Sequence, residues 1–127
     1  MRYLSLFSGV GSEAIAWESL GWECIANCDP DQYASSVLNY HYPHIPNLGD
    51  LTKVNWSQYR GKIDLMTGGP PCVSFSVAGL RKGLLDKRGN LTLEYVNAIK
   101  TVRPRLFLLE NVPGILSDQS NAFGTML

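Results

Sequence analysis

An α/β fold built on a doubly wound, mostly parallel sheet is what this sequence predicts, and three observations predict it. Strand-like apolar runs at 2–7, 23–28, 63–67 and 105–110 alternate with segments of helical periodicity. Glycine or proline marks almost every boundary between them. The last run, Arg105-Leu106-Phe107-Leu108-Leu109-Glu110, is almost continuously apolar, the pattern of a strand covered on both faces. Such alternation produces βαβ units, whose right-handed connections build a parallel sheet. The 127 residues suffice for one compact domain, and no internal repeat or linker divides them.

Residues 2–7 form the first strand, which stops at Ser8-Gly9-Val10-Gly11-Ser12. Ser12 is placed to cap a helix over 12–20, in which Ile15, Ala16 and Leu20 share an apolar face, and Gly21 lies just past its end. Residues 23–28 make the second strand. Asp29-Pro30 opens a helix running to about residue 40, with Pro30 at its first position, where a missing N–H costs nothing. Pro43 and Pro46 mark a loop, followed by a short extended piece at 47–48 and by Gly49-Asp50. The strand at 63–67 is stopped by Gly68-Gly69-Pro70-Pro71. After a glycine-containing, basic loop, a helix over 92–102 carries Leu93, Val96 and Ile99 on one face, and Arg103-Pro104 ends it. Asn111-Val112-Pro113-Gly114 is a turn, and 121–127 begins another helix.

Composition excludes several classes. With 45% hydrophobic and 17% charged residues the chain reads as globular, and no apolar run approaches the roughly 18–20 residues of a membrane span. The N-terminus is too short and polar-interrupted for a secretory signal. A cytoplasmic protein is therefore expected, with its three cysteines, Cys24, Cys28 and Cys72, as reduced thiols. A net charge of zero argues against a free-standing nucleic-acid binder, which normally presents a basic face. One stretch departs from that balance: Arg81, Lys82, Lys87 and Arg88 face only Asp86 within 80–90. On charge alone a solvated loop explains it equally well.

Gly9-x-Gly11-x-x-Ala14 follows a strand and opens a helix, and Asp29 lies about 20 residues on, where a carboxylate grips a ribose. Glycines let the backbone approach a ligand, so the pattern suits any adenosine cofactor and does not choose between NAD and S-adenosylmethionine. Asp50, after Gly49, is placed either to accept from an adenine amino group or to cap a turn.

Cys72 follows a strand end and two prolines, which stiffen its approach. In a doubly wound sheet, ligands bind outside the carboxyl ends of the strands, so Cys72 shares a crevice with Gly9 and Asp29. His41 and His44 lie in a remote loop, leaving no protease-like pair, and no four metal ligands assemble around Cys24 and Cys28. Glu110 ends the last strand at the same edge, where partial desolvation would raise its pKa and let it donate a proton. A thiol and a carboxyl converging on one edge suit nucleophilic addition to an electron-poor ring.

Phe7-Ser8-Gly9-Val10-Gly11, Gly69-Pro70-Pro71-Cys72-x-Ser74-Phe75-Ser76 and Glu110-Asn111-Val112, in this order, resemble three motifs of the cytosine-5 DNA methyltransferases. Gly49-Asp50 and Asp86-Lys87-Arg88-Gly89-Asn90-Leu91 add to the resemblance, which spans nearly the whole chain and is closest in its opening to phage or prophage members. It implies a Rossmann-like, S-adenosylmethionine-dependent fold that releases S-adenosylhomocysteine. It also implies that the Cys72 thiolate attacks C6 of a flipped cytosine, that Glu110 engages N3, and that β-elimination frees Cys72 after C5 is methylated. Phe7, Gly9, Val10, Gly11, Asp29, Pro30, Asp50, Leu51, Pro71 and Leu91 are implied to line the cofactor pocket. Ser74, Ser76, Arg81, Lys82, Lys87 and Arg88 are implied to meet DNA. Two positions depart from the family: Val73 stands where it usually has Gln, and Ser5 near where it usually has Asp.

Family members continue into an Arg-rich motif, a target-recognition region and a final cofactor-contacting helix, none of which occurs in 1–127. The chain is thus expected to be the N-terminal part of a catalytic domain of bacterial, phage or prophage kind, incomplete on its C-terminal side, and nearly inactive alone. The strand at 105–110 is expected to have an open edge, fit to pair with a complementary C-terminal chain or with itself. Other readings are an inactive or partner-dependent remnant that only binds cofactor, a transfer-RNA cytosine-5 methyltransferase, and a nicotinamide oxidoreductase, in which Cys72 and Glu110 have no role.

Overall fold

The structure is a computed structural model that describes residues 1–71, 87–117 and Gly124. Strands β1 (Arg2–Leu6), β2 (Glu23–Cys28), β3 (Leu65–Gly68) and β4 (Leu106–Leu109) form one four-stranded sheet in the order β2-β1-β3-β4, parallel throughout. Helices α1 (Ser12–Glu18), α2 (Gln32–His41) and α3 (Lys87–Val102) lie between successive strands. The chain winds outward from β1 to β2, then crosses back over β1 to β3. The reversal falls between β1 and β3, where open α/β sheets leave a crevice at the carboxyl edge.

Alternation along the strands divides the side chains between the two faces. Leu4, Leu6, Ala26, Cys28 and Met66 pack with Tyr95, Ala98 and Val102 of α3 to form the main core. Leu51, Trp56 and Ile63 complete it from the connection between α2 and β3, whose two 3₁₀ turns are Leu51–Lys53 and Trp56–Tyr59. Trp56 Nε1 donates to the Leu51 carbonyl at 3.2 Å, so the one polar atom of this buried indole is satisfied. On the opposite face Tyr3 meets Trp17 of α1 edge-on, with ring centroids 4.9 Å apart. Gly11 (φ 86°) lies so close to α2 that a Cβ there would sit 3.0 Å from both Leu38 Cδ2 and Tyr42 Cε2. Burial pushes the Cys24 thiol up to about 11 and the Cys28 thiol up to about 12, so both stay protonated near neutrality.

Several expectations change. Gly11, not Ser12, occupies the N-cap of α1, and Ser12 Oγ contacts Glu13 instead. The helix presents Ala14 and Trp17 to the sheet while Ile15 and Leu20 are exposed; the Tyr3–Trp17 contact decides the rotation that apolar spacing alone left open. Helix α2 starts later than expected because Asp31 caps it, accepting from Ala34 N at 2.9 Å. The extended piece at 47–48 is a single parallel bridge, Asn27 to Asn47, rather than a strand. Helix α3 begins at Lys87, ahead of the expected 92.

The largest correction concerns β4. It is not covered on both faces: Leu106 and Phe107 are each 55% exposed and Leu108 47%. Beyond β3 it has no neighbouring strand among the described residues, so its edge is open there, as expected. The helix expected over 121–127 lies outside the described residues, Gly124 excepted.

Candidate active site

The carboxyl ends of β1 and β2 are laced together at the crevice. Ser8 Oγ donates to the Ser5 carbonyl at 2.7 Å and accepts from Cys28 N at 2.9 Å, while Phe7 N donates to the Cys28 carbonyl at 2.8 Å. Phe7 is held at φ 57°, a left-handed conformation that costs a non-glycine residue of order 1–3 kcal/mol. Gly9 follows at φ 52°, with nothing within 4 Å of where a Cβ would lie, and its amide donates to Asp29 Oδ2 at 2.8 Å. Asp29 Oδ1 accepts from Asp31 N at 2.9 Å. The expected glycine turn and its partner acid are therefore in direct contact.

Asn47, which no sequence pattern singled out, fastens the neighbouring loops. Its Oδ1 accepts from Asp29 N at 3.0 Å and Gly49 N at 3.2 Å, and its Nδ2 donates to the Asp29 carbonyl at 3.0 Å. Asp50 takes the turn-capping role: Oδ1 accepts from Thr52 N at 3.0 Å and Thr52 Oγ1 at 2.8 Å. These bonds hold its carboxyl below the usual carboxylate range, assisted by Lys53 Nζ at 3.6 Å. Leu51 is buried in the core, Leu91 packs against it half-buried, and Val10 and Pro30 are exposed.

These features fit S-adenosylmethionine. Open space stands beside Gly9, the Asp29 carboxylate keeps free lone pairs beyond its two backbone donors, and Asp50 lies along the same edge behind Gly49. A separate groove of about 570 Å³ between the far ends of α1 and α2, lined by Tyr3, Trp22, Cys24 and His41 among others, lies at the amino ends of β1 and β2 and includes none of the crevice residues.

The second half of the site is where β3 and β4 end side by side. Gly68 and Leu109 are register partners, and Glu110 N donates to the Gly68 carbonyl at 3.1 Å. A Cβ on Gly69 would lie 3.0 Å from Glu110 Oε2, so the carboxylate rests against a backbone that only glycine leaves clear. Asn111 Nδ2 donates to the Pro70 carbonyl at 3.2 Å, and its Oδ1 accepts from Val112 N at 2.9 Å. The Glu-Asn-Val turn is thereby tied to the Pro-Pro segment that leads into Cys72. The expected desolvation of Glu110 is not found: the residue is exposed, with Oε2 lying beside Gly69.

Cys72, Ser74, Ser76, Arg81 and Lys82 lie outside the described residues, as do the side chains of Lys87 and Arg88, whose backbone forms the first turn of α3. Among the described residues no cluster of three or more His, Cys, Asp or Glu is arranged to hold a metal, and no helix is long and apolar enough to cross a membrane.

A family model described as C-5 cytosine-specific DNA methylase matches residues 1–127. Over 98% of its length the chain is 44% identical to the DNA N-6-adenine-methyltransferase of Escherichia phage P1, of which it spans 18%. It is 37% identical to the type II methyltransferase M.NgoPII of Neisseria gonorrhoeae, over 95% of this chain and 36% of that protein. Among solved structures, a DNA modification methyltransferase encoded within an E. coli prophage superposes with a TM-score of 0.75 at 27% identity, covering 98% of this chain and 37% of that one. The chain thus spans well under two thirds of the length of these relatives. The phage P1 protein is named for adenine chemistry, but the match covers less than a fifth of it, whereas the cytosine family model covers every residue here.

Proposed function

The chain belongs to the C-5 cytosine-specific DNA methylase family, and from that premise we propose that it carries the cofactor crevice and reacting groups of a DNA (cytosine-5) methyltransferase. The observation that carries this reading is the convergence of two strand ends. The segment leading into Cys72 and the turn carrying Glu110 are joined through Asn111 and Pro70, at the edge where Gly9 meets Asp29.

In this mechanism Asp29 would accept from the ribose hydroxyls of S-adenosylmethionine, and Asp50, whose Oδ1 caps the turn at Thr52, would offer Oδ2 to its adenine amino group, with Phe7, Gly9 and Gly11 shaping the adjoining loop. Bound there, S-adenosylmethionine supplies an electrophilic methyl group. Glu110 hydrogen-bonds to N3 of a flipped cytosine and draws electron density from the ring, so that the Cys72 thiolate adds at C6 and C5 becomes nucleophilic. C5 would then take the methyl group, leaving S-adenosylhomocysteine, and loss of the C5 proton to water would expel the Cys72 thiolate by β-elimination. Its exposure lets Glu110 exchange protons with solvent until the base closes over it. The basic residues of 80–90 neutralise DNA phosphates, which fix position rather than sequence.

Nucleoside analysis of DNA methylated by the protein, supplied with the C-terminal part of a related methyltransferase, tests this reading: 5-methylcytosine is expected, and N6-methyladenine as the product would overturn it. Asp29→Ala is expected to weaken S-adenosylhomocysteine binding by about 1.5–3 kcal/mol, the worth of hydrogen bonds to a charged group, when titrated calorimetrically against the unsubstituted protein.

The open edge of β4 is assigned to a further strand of the methyltransferase body, on the same or a complementary chain, and its half-exposed Leu106, Phe107 and Leu108 support this. Left unpaired, that edge is expected to drive self-association. Phe107→Lys should then shift the purified chain towards monomer in sedimentation velocity, whereas an unsubstituted chain that is already a clean monomer at high concentration contradicts the assignment.

A further inference from the structure

Tyr95 is the side chain through which α3 reaches the ends of three strands. It is 1% exposed, midway along the helix. Its hydroxyl donates to the Leu108 carbonyl at 2.8 Å and lies 3.2 Å from the Met66 carbonyl, so it bridges β4 and β3. A Cβ on Gly68 would sit 2.9 Å from ring atom Cε2, and the ring meets Phe7 edge-on at a centroid distance of 6.4 Å. Three of these contacts lie within two residues of a functional element. Leu108 is two residues before Glu110, Gly68 adjoins the Gly-Pro-Pro segment, and Phe7 begins the cofactor loop.

Packing alone does not require the hydroxyl, since phenylalanine would fill the same space. A buried tyrosine O–H must be hydrogen-bonded, and here both candidate acceptors are strand carbonyls beside the site. The bond matters most on β4, which has one strand neighbour among the described residues and a half-exposed apolar surface. There it adds a tie from α3 to the ladder bond between the Glu110 amide and the Gly68 carbonyl. Burial also raises the phenol above its ordinary value, so the donor keeps its proton throughout the working range.

We propose that Tyr95 is a positioning residue for methyl transfer: its hydroxyl holds the end of β4, and with it Glu110, at a fixed offset from the Gly69-Pro70-Pro71 segment. This rests on the methyltransferase reading above. It is tested by residue-resolved amide hydrogen exchange on the whole chain, with Tyr95→Phe. Loss of one buried hydrogen bond should speed exchange of the Glu110 amide roughly 5–30-fold. The Leu106 amide at the far end of β4 and the Leu4 amide in β1 should change far less. A purely structural role would raise all three by one common factor, and that result, or no change at Glu110, would overturn the proposal.

Two further replacements guard against a variant that fails to fold. Tyr95→4-aminophenylalanine returns a donor and should restore protection at Glu110, while Tyr95→4-methylphenylalanine, of similar shape without a donor, should not; equal protection in both would also overturn it. In methylation assays with the C-terminal part of a related methyltransferase supplied, Tyr95→Phe should lower kcat about tenfold with the KM for S-adenosylmethionine unchanged, as misplacement of a reacting group does. Failure of the underlying function would show separately, as an unsubstituted protein whose methylated product is not 5-methylcytosine.

Discussion

Glu110→Gln is expected to slow cytosine methylation by about 10²–10⁴-fold, the range for removing a positioned general acid, while leaving S-adenosylhomocysteine affinity as it was. The amide keeps the shape of the side chain and its place against Gly69, so the change removes proton donation and little else. Glu110 stands across the β3–β4 junction from the cofactor loop, whose own carboxylate is Asp29. Single-turnover methylation, with binding measured separately by calorimetry, distinguishes the two effects. An unchanged chemical rate would remove Glu110 from the mechanism.

Neighbouring glycines offer the second large effect, and they should fail in different ways. At Gly68 a Cβ would meet the Tyr95 ring at 2.9 Å and the Leu6 carbonyl at 3.1 Å, within fully packed core and rigid backbone. Gly68→Ala is therefore expected to destabilise the fold by about 1–3 kcal/mol, seen as a lower denaturation midpoint. At Gly69 the obstacle is Glu110 Oε2 at 3.0 Å, the end of a flexible and exposed side chain. Gly69→Ala should cost little stability, because the carboxylate swings away, but it should slow methylation roughly tenfold because the displaced group is the reacting one. If Gly69→Ala melted the fold and spared the rate per folded molecule, the placement of Glu110 against that backbone would have no functional meaning.

The parts of this molecule that sequence made legible are those encoded locally. Short apolar runs closed by glycine or proline turns located the four strands of the described residues, and the Gly9-x-Gly11 turn with Asp29 is a hydrogen-bonded pair. The parallel sense of the sheet followed because strands joined through helices return in the same direction, whereas the order of the strands was not legible. What stayed hidden depends on partners distant in the chain. Asn47, Asn111 and Tyr95 look like an ordinary loop amide, a turn amide and a core aromatic, yet each fastens a loop or strand end at the crevice. Apolar spacing alone gives the wrong rotation for α1, because Trp17 outweighs Ile15 and Leu20 once Tyr3 is opposite it. The β4 run misleads for a related reason: apolar composition records the burial a strand is built for, and here its faces remain half open. Glu110 was expected to be desolvated by its strand, but its position at the tip of an edge strand leaves it exposed.

The central claim, that Cys72 is the nucleophile of a cytosine-5 methyltransferase, is tested most directly by trapping. Duplex DNA containing 5-fluorocytosine, offered with S-adenosylmethionine to the protein supplied with the C-terminal part of a related methyltransferase, blocks the final elimination because C5 bears fluorine in place of a proton. The predicted result is a stable protein–DNA adduct whose peptide map places the base on Cys72 and which Cys72→Ala abolishes. Methyl transfer with no adduct, or an adduct that survives Cys72→Ala, would contradict it.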